Sequence, residues 1–185
     1  MKNIAIVYFS KTGSTENMAL AIAEGAKQHG AKVLTHAIAG TEIIEGRFKN
    51  DALFEKLENM DAIIFGSPTY MGGPAAQFKA FVDASSETWS KQLWHNKLAA
   101  GFTVGGSPCG EVQSTIENFY ILATQHSMLW VGIDAPEGTS SKTFNRLNSS
   151  LGVIGMVDDE GQLDGIDIKT AMRLGTRVAE LVQRT

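Results

Sequence analysis

The stretch Ser10-Lys11-Thr12-Gly13-Ser14-Thr15-Glu16-Asn17 stands between two opposite patterns. Before it runs Ile4-Ala5-Ile6-Val7-Tyr8-Phe9, an apolar run that reads as a buried strand. After it Met18, Ile22 and Ala26 recur at four-residue spacing, the apolar face of a helix. The loop therefore joins a strand end to a helix start. The first N–H groups of a helix lack intrahelical acceptors and lie at the positive end of its dipole, which suits a phosphate. Ser10, Thr12, Ser14 and Thr15 bring neutral hydroxyls, Lys11 completes the loop, and Gly13 allows a tight turn without a Cβ. The stretch is neither G-x-x-x-x-G-K-[ST] nor G-x-G-x-x-G, which disfavours a Walker-type NTPase and a dinucleotide fingerprint. The alternative reading is a turn rich in helix-capping residues.

Outward from this loop, strand-like and helix-like segments alternate without internal repeat. Lys32–Ile38 reads as a second strand, and Leu53, Phe54 and Leu57 mark a short helix. Ala62-Ile63-Ile64-Phe65, ending at Gly66, suits a central strand buried on both faces. A helix follows, with Pro74 in its first turn and Ala75, Phe78, Phe81 and Val82 at helical spacing. Leu98–Val104 is a fourth strand; Val112, Ile116, Phe119, Tyr120 and Ala123 define a helix; Met128–Val131 is a fifth strand; Ala171, Leu174, Val178 and Leu181 belong to a last helix. Five such units predict an α/β fold with a parallel sheet and helices on both faces, one domain spanning residues 1–185. Residues 132–166 break the rhythm and read as an insertion within or after the fifth strand, with apolar Gly152–Val157 able to extend it.

Composition narrows the class. The 185 residues are 43% hydrophobic and 19% charged, with a net charge of −4, which gives no support to nucleic-acid binding. No apolar run approaches a membrane span, and no secretory leader is visible, so a cytoplasmic location is expected. The single cysteine, Cys109, forms no intrachain disulfide, and the four histidines lack metal-ligand spacing, so no metal is expected.

Ligands of open α/β sheets gather beyond the carboxyl ends of the strands, so the loops after strands one, three and four should converge. The third-strand loop reads Gly66-Ser67-Pro68-Thr69-Tyr70-Met71-Gly72-Gly73-Pro74 and the fourth Thr103-Val104-Gly105-Gly106-Ser107-Pro108-Cys109-Gly110-Glu111. Both expose backbone donors through glycines ahead of a helix. With Ser10–Thr15, they resemble the three flavin loops of the flavodoxin-like superfamily, and in particular the WrbA-type NAD(P)H:quinone oxidoreductase / NADPH-dependent FMN reductase family.

That resemblance implies a doubly wound five-stranded parallel sheet of order 2-1-3-4-5 and FMN as cofactor, with NAD(P)H as co-substrate and a quinone as the suspected acceptor. It places the FMN phosphate on Ser10, Lys11, Thr12, Gly13, Ser14 and Thr15, and the ring against Pro68, Thr69, Tyr70, Met71 and Gly72 and against Thr103, Val104, Gly105, Gly106, Cys109 and Gly110. It further implies a substrate face shaped by Tyr70, Trp89 and His126, the last as a hydrogen-bonding or proton-moving group, and a homo-oligomer, dimer or tetramer, in which the insertion takes part. Family members carry Arg-Phe-Gly-Asn after the Pro-Thr; this chain has Tyr70-Met71-Gly72-Gly73. A one-electron flavodoxin-type carrier, or a flavin-binding regulatory protein with little turnover, are the alternative readings.

Overall fold

The structure is a computed structural model, and it describes residues 1–184. The first strand, β1 (Asn3–Tyr8), is followed by α1 (Ser14–Gln28) and β2 (Lys32–Ala37). A one-turn 3₁₀ helix (Gly40–Glu42) leads to a small antiparallel ladder of β3 (Ile43–Ile44) and β4 (Arg47–Phe48), then α2 (Asp51–Glu58). Next come β5 (Ala62–Tyr70), β6 (Gly73–Pro74), α3 (Ala76–Ala84) and the short α4 (Ser86–Ser90). The chain closes with β7 (Leu98–Gly105), α5 (Val112–Gln125), β8 (Leu129–Trp130), β9 (Val153–Met156) and α6 (Gly165–Val182).

The main sheet runs β2-β1-β5-β7-β8, all parallel, which is the expected order 2-1-3-4-5 once the short antiparallel pieces are set aside. Strand periodicity sorts the side chains into two layers. Ile4, Ile6, Tyr8, Ile64, Ala100 and Phe102 face α1 and α6, whereas Ala5, Val7, Ile63, Phe65 and Ala99 face α2, α3 and α5. Helices α1 and α6 touch backbone to backbone. A Cβ on Gly25 would lie 2.0 Å from the Met172 carbonyl oxygen, and one on Gly175 1.9 Å from that of Ile22.

The insertion divides the fifth strand. β8 pairs with Leu98 and Ala99 at the start of β7, and β9 with Phe102–Gly105 at its end. The apolar Gly152–Val157 segment thus continues the fifth position, as its composition predicts. Between the two halves the chain leaves the sheet through a neck closed by Trp130 Nε1 donating to the Leu151 carbonyl (2.8 Å) and Ile133 N to that of Ser150 (3.1 Å). Three arginines pin the excursion, Arg177 through the Gly132 carbonyl (2.9 Å) and Asp134 (3.0 Å). Arg146 donates from Nε and Nη2 to the buried carboxylate of Asp167, 2.8 Å each, and Arg173 forks onto Asp134. Asp134 is held below its ordinary pKa chiefly by the hydrogen bonds from Arg173.

One expectation is corrected. Pro74 does not open the helix: it pairs with Thr69 in β6, and Ala75 caps α3. Proline, without an N–H, is at home in so short an edge strand.

Candidate functional site

The first, third and fourth loops of the sequence reading lie together at the carboxyl ends of β1, β5 and β7. In the first loop Ser10 Oγ accepts the N–H groups of Gly13 and Glu16, both at 3.2 Å. Its lone pairs are thereby used inside the loop, and its one proton is left to point outward. Gly13 has φ +96° and starts α1, so the N–H groups of Ser14 and Thr15 belong to the first, intrahelically unpaired turn. Lys11 and Thr12 are exposed, Thr12 Oγ1 is 3.5 Å from Ser14 Oγ, and Ser14 Oγ donates to the Gly161 carbonyl at 3.3 Å. Behind the loop, Tyr8 donates to Glu16 Oε1 (3.2 Å); burial first and the Glu16 charge second push its phenol up to about 12.

The second loop is a β-hairpin. Tyr70 and Gly73 pair across a two-residue turn, Met71 (φ +49°) and Gly72 (φ +75°), a type I′ arrangement. Tyr70 is half-exposed and Met71 fully exposed. Ser67 Oγ accepts the Ala75 N–H and donates to the Pro68 carbonyl, 2.9 Å each. The third loop carries Gly105, Gly106, Ser107, Pro108, exposed Cys109 and Gly110 into Glu111, the left-handed N-cap of α5 (φ +52°).

Glycines separate packing from binding. A Cβ at Gly66, Gly101 or Gly105 would strike Phe102, Phe119 or Val112 at 2.1, 2.8 and 2.3 Å. Gly73 and Gly106 have neither a positive φ nor any neighbour within 4 Å of such a Cβ. Their lack of a side chain answers no demand of this fold; it keeps backbone open over the loop cluster. Outward hydroxyl, unpaired helix-start amides and uncovered glycine backbone are the donor set a phosphate and a flat heteroaromatic ring require, so the residues fit FMN.

Besides Ser14, whose proton goes to Gly161, two more hydroxyls assigned to the cofactor from sequence are otherwise engaged. Thr103 Oγ1 donates to the Ser67 carbonyl (2.7 Å), so the 2.9 Å contact with Thr69 must be filled by the Thr69 proton. Thr69 and Thr103 can meet a ligand only through their backbone or as acceptors.

The predicted substrate face is not assembled within one chain. Tyr70 stands at the carboxyl end of the sheet. Trp89 lies in α4 ahead of β7, and His126 caps the C-terminus of α5, which returns antiparallel to β7. Both therefore lie at the amino end, roughly 25 Å away along eight strand residues. His126 is buried, its ring 4.2 Å from that of Trp94. Ser85 Oγ spends its proton on the Val82 carbonyl (2.7 Å), so His126 Nε2 donates to Ser85 (2.9 Å) and Nδ1 is the acceptor, buried and without a partner among the described residues. Burial lowers its pKa to about 4, so it is neutral at pH 7 and moves no proton in the free chain. Trp89 and His126 both line a groove of about 350 Å³ with Ile121, Asn118 and Gln125. Sequence reading missed Ser114 and Thr115 of α5, whose hydroxyls lie 2.7 Å from the Gly72 carbonyl and 2.8 Å from Thr69 Oγ1, since nothing in the linear chain brings α5 hydroxyls beside the third-strand loop.

Fold and loops together define a flavodoxin-like flavoprotein. The model of the NADPH-dependent FMN reductase family matches residues 1–135. A flavodoxin, FldP, of Pseudomonas aeruginosa is 32% identical over all of this chain and 98% of its own length. An NAD(P)H dehydrogenase (quinone) of Archaeoglobus fulgidus is 30% identical, covering 100% and 99%. A WrbA-like flavodoxin structure from Agrobacterium tumefaciens superposes with TM-score 0.76 at 36% identity, covering 100% and 99%. The chain belongs to the NADPH-dependent FMN reductase family of flavodoxin-like proteins. It is an oxidoreductase that works with FMN and NAD(P)H. Among the described residues no helix is long and apolar enough to cross a membrane.

Proposed function

We propose that this chain is a cytoplasmic NAD(P)H:quinone oxidoreductase: NAD(P)H, a proton and a quinone give NAD(P)⁺ and the quinol. FMN held by these loops would supply the two-electron chemistry between nicotinamide and quinone. The observation that carries the reading is the juxtaposition of three donor-rich loops with an exposed aromatic hairpin tip. Ser10, Thr12, Ser14 and Thr15, with Lys11 and the Gly13 turn, hold the phosphate. The Pro68–Gly72 and Thr103–Gly110 loops flank the ring, with Cys109 contributing backbone only, and Tyr70 presents an aromatic ring to a flat substrate. Nicotinamide and quinone use one face in turn.

Trp89 and His126 serve that face in a homo-oligomer, from a second copy. A half-exposed indole, a half-exposed Ile121 and a buried imidazole acceptor without a partner line one groove far from the chain's own loops. Exposed Tyr70 and Met71 offer an apolar projection of the kind such a groove takes.

A second reading has its own support. Glu16, Glu111, Asp158, Asp159 and Glu160 are exposed around the loops, an acidic rim that would steer a basic protein partner of a one-electron carrier. Anaerobic mixing of the FMN-loaded protein with NADPH, and separately with NADH, decides between them. Rapid bleaching of the flavin band, reversed by a quinone, is expected. A band that persists with both nucleotides and fades only with dithionite sinks the reductase reading and favours the carrier.

A further inference from the structure

Three threonines from three elements meet beneath the hairpin: Thr69 of β5, Thr103 of β7 and Thr115 of α5. Thr103 and Thr115 are fully buried. Their contacts fix one direction. Thr103 donates to the Ser67 carbonyl at 2.7 Å, so Thr69 donates to Thr103 at 2.9 Å, so Thr115 donates to Thr69 at 2.8 Å. The chain ends on a backbone carbonyl, which cannot pass a proton on. It is a brace and not a proton wire. A second tie runs parallel to it: the single proton of Ser114 Oγ is shared between the Gly72 carbonyl at 2.7 Å and the Glu111 carbonyl at 2.5 Å. Successive residues of α5 thus grip the base and the tip of the second loop, while the N-terminus of that same helix carries the third.

We propose that Thr115 is a positioning residue that acts through Thr69, locking the second loop to the positive end of α5 and thereby setting how strongly the site prefers reduced over oxidised FMN. A helix N-terminus and aligned backbone donors favour the more negative, reduced ring only if they are held in place beforehand. Loss of the Thr115 proton frees the Pro68–Gly72 loop to drift relative to that helix end. The inference rests on the FMN assignment of the loops.

The test is a set of substitutions at Thr115 read by the FMN dissociation constant, the flavin midpoint potential and amide exchange of residues 69–73 in the cofactor-free chain. Thr115→Val keeps the shape and removes the donor. The affinity for oxidised FMN should stay within about twofold. The reduced-to-oxidised affinity ratio should fall about fivefold, the scale of one neutral hydrogen bond, or ~20 mV in a two-electron potential. Exchange at 69–73 should quicken, and Thr115→Ser should restore all three values. If the valine does not fold, Thr115→Ala removes the same proton without added bulk. A Val or Ala variant that folds and binds FMN at the wild-type potential overturns the proposal. So does a Ser variant as shifted as Val, because bulk and not the hydroxyl would then matter. Wild-type protein that retains no FMN overturns the loop assignment itself, and this inference with it.

Discussion

The two ends of the sheet are built on opposite terms. At the carboxyl end, Gly13, Gly73 and Gly106 leave open space where a Cβ would stand, and Lys11, Thr12, Met71 and Cys109 face solvent. At the amino end, Trp94 is completely buried against Phe54, Phe65 and Phe81, with the His126 ring upon it. Phe78 and Phe119 extend the cage, centroids 4.9 Å apart. One end holds its polar groups ready for a ligand; the other spends its surface on the fold. Stability and cofactor affinity should therefore respond to different residues, and a mutation that moves both would break the division.

The largest effect falls on the closed end. Trp94→Ala empties the centre of the aromatic cage and should cost about 3–5 kcal/mol of stability, seen as a lower urea midpoint. FMN affinity in the absence of denaturant should change by less than about twofold. A Trp94→Ala protein that folds normally but loses FMN would contradict the separation. The converse variant acts on the open end. Thr12→Val with Thr15→Val removes two hydroxyls of the proposed phosphate site, each worth about 1.5 kcal/mol or more towards a charged group, so the FMN dissociation constant should rise on the order of 100-fold. The thermal midpoint should barely move, since among the described residues the one hydrogen-bond partner of either hydroxyl is Ser14 of the same loop, 3.5 Å from Thr12. Titration of apo-protein by flavin fluorescence quenching reads the first quantity, and unchanged affinity would mean that the loop binds no phosphate.

The open end was legible in the linear chain because its signals are local. Hydroxyls, glycines and a helix start lie within a few residues in each of the three loops, whereas the strand order comes from family likeness and not from the count of units. Sequence also anticipated that Gly152–Val157 rejoins the sheet, from its apolar run alone. What escaped it is non-local. The Thr115–Thr69–Thr103 brace joins residues 34 and 46 positions apart. Trp89 and His126 were grouped with Tyr70 by family likeness, yet helices that return antiparallel carry them to the far end of the sheet. Pro74 was read as a helix opener because a two-residue strand leaves no periodicity to detect.

His126 offers a subtler probe of the closed end. Its pKa is depressed from the ordinary 6.5 to about 4 by burial, and among the described residues no carboxylate is paired with it. The unfolded chain thus binds a proton that the folded chain refuses. Stability should be undiminished above pH ~6.5 and fall as pH drops towards 4, with a slope of at most about 1.4 kcal/mol per pH unit from this group. His126→Phe, which keeps an aromatic ring on Trp94, should flatten that part of the profile in denaturant melts across pH 4–7. A wild-type profile already flat over that window would mean the imidazole is protonated in place. In an oligomer where His126 accepts a hydrogen bond from the partner's side, the depression would persist, so the pH profile and the quinone rate separate its structural role from its proposed one.

The smallest effect is the most telling for the open end. Met71 occupies the first position of a type I′ turn with φ +49°, where asparagine or glycine is at ease and an unbranched apolar side chain is strained. It is also fully exposed, so no packing within the chain compensates. Met71→Asn should stabilise the isolated chain by about 0.5–1 kcal/mol, within the range that relief of a strained backbone position gives. A strained, solvent-facing methionine is a poor choice for a lone hairpin and a sensible one for a hairpin that enters an apolar groove. If Met71 seats beside the Trp89 of a second copy, the stabilised variant should associate more weakly in sedimentation and reduce quinone more slowly, stability and function moving in opposite directions. If Met71→Asn gains stability while mass and turnover hold, the hairpin tip meets no partner, and the substrate face must be completed within a single chain.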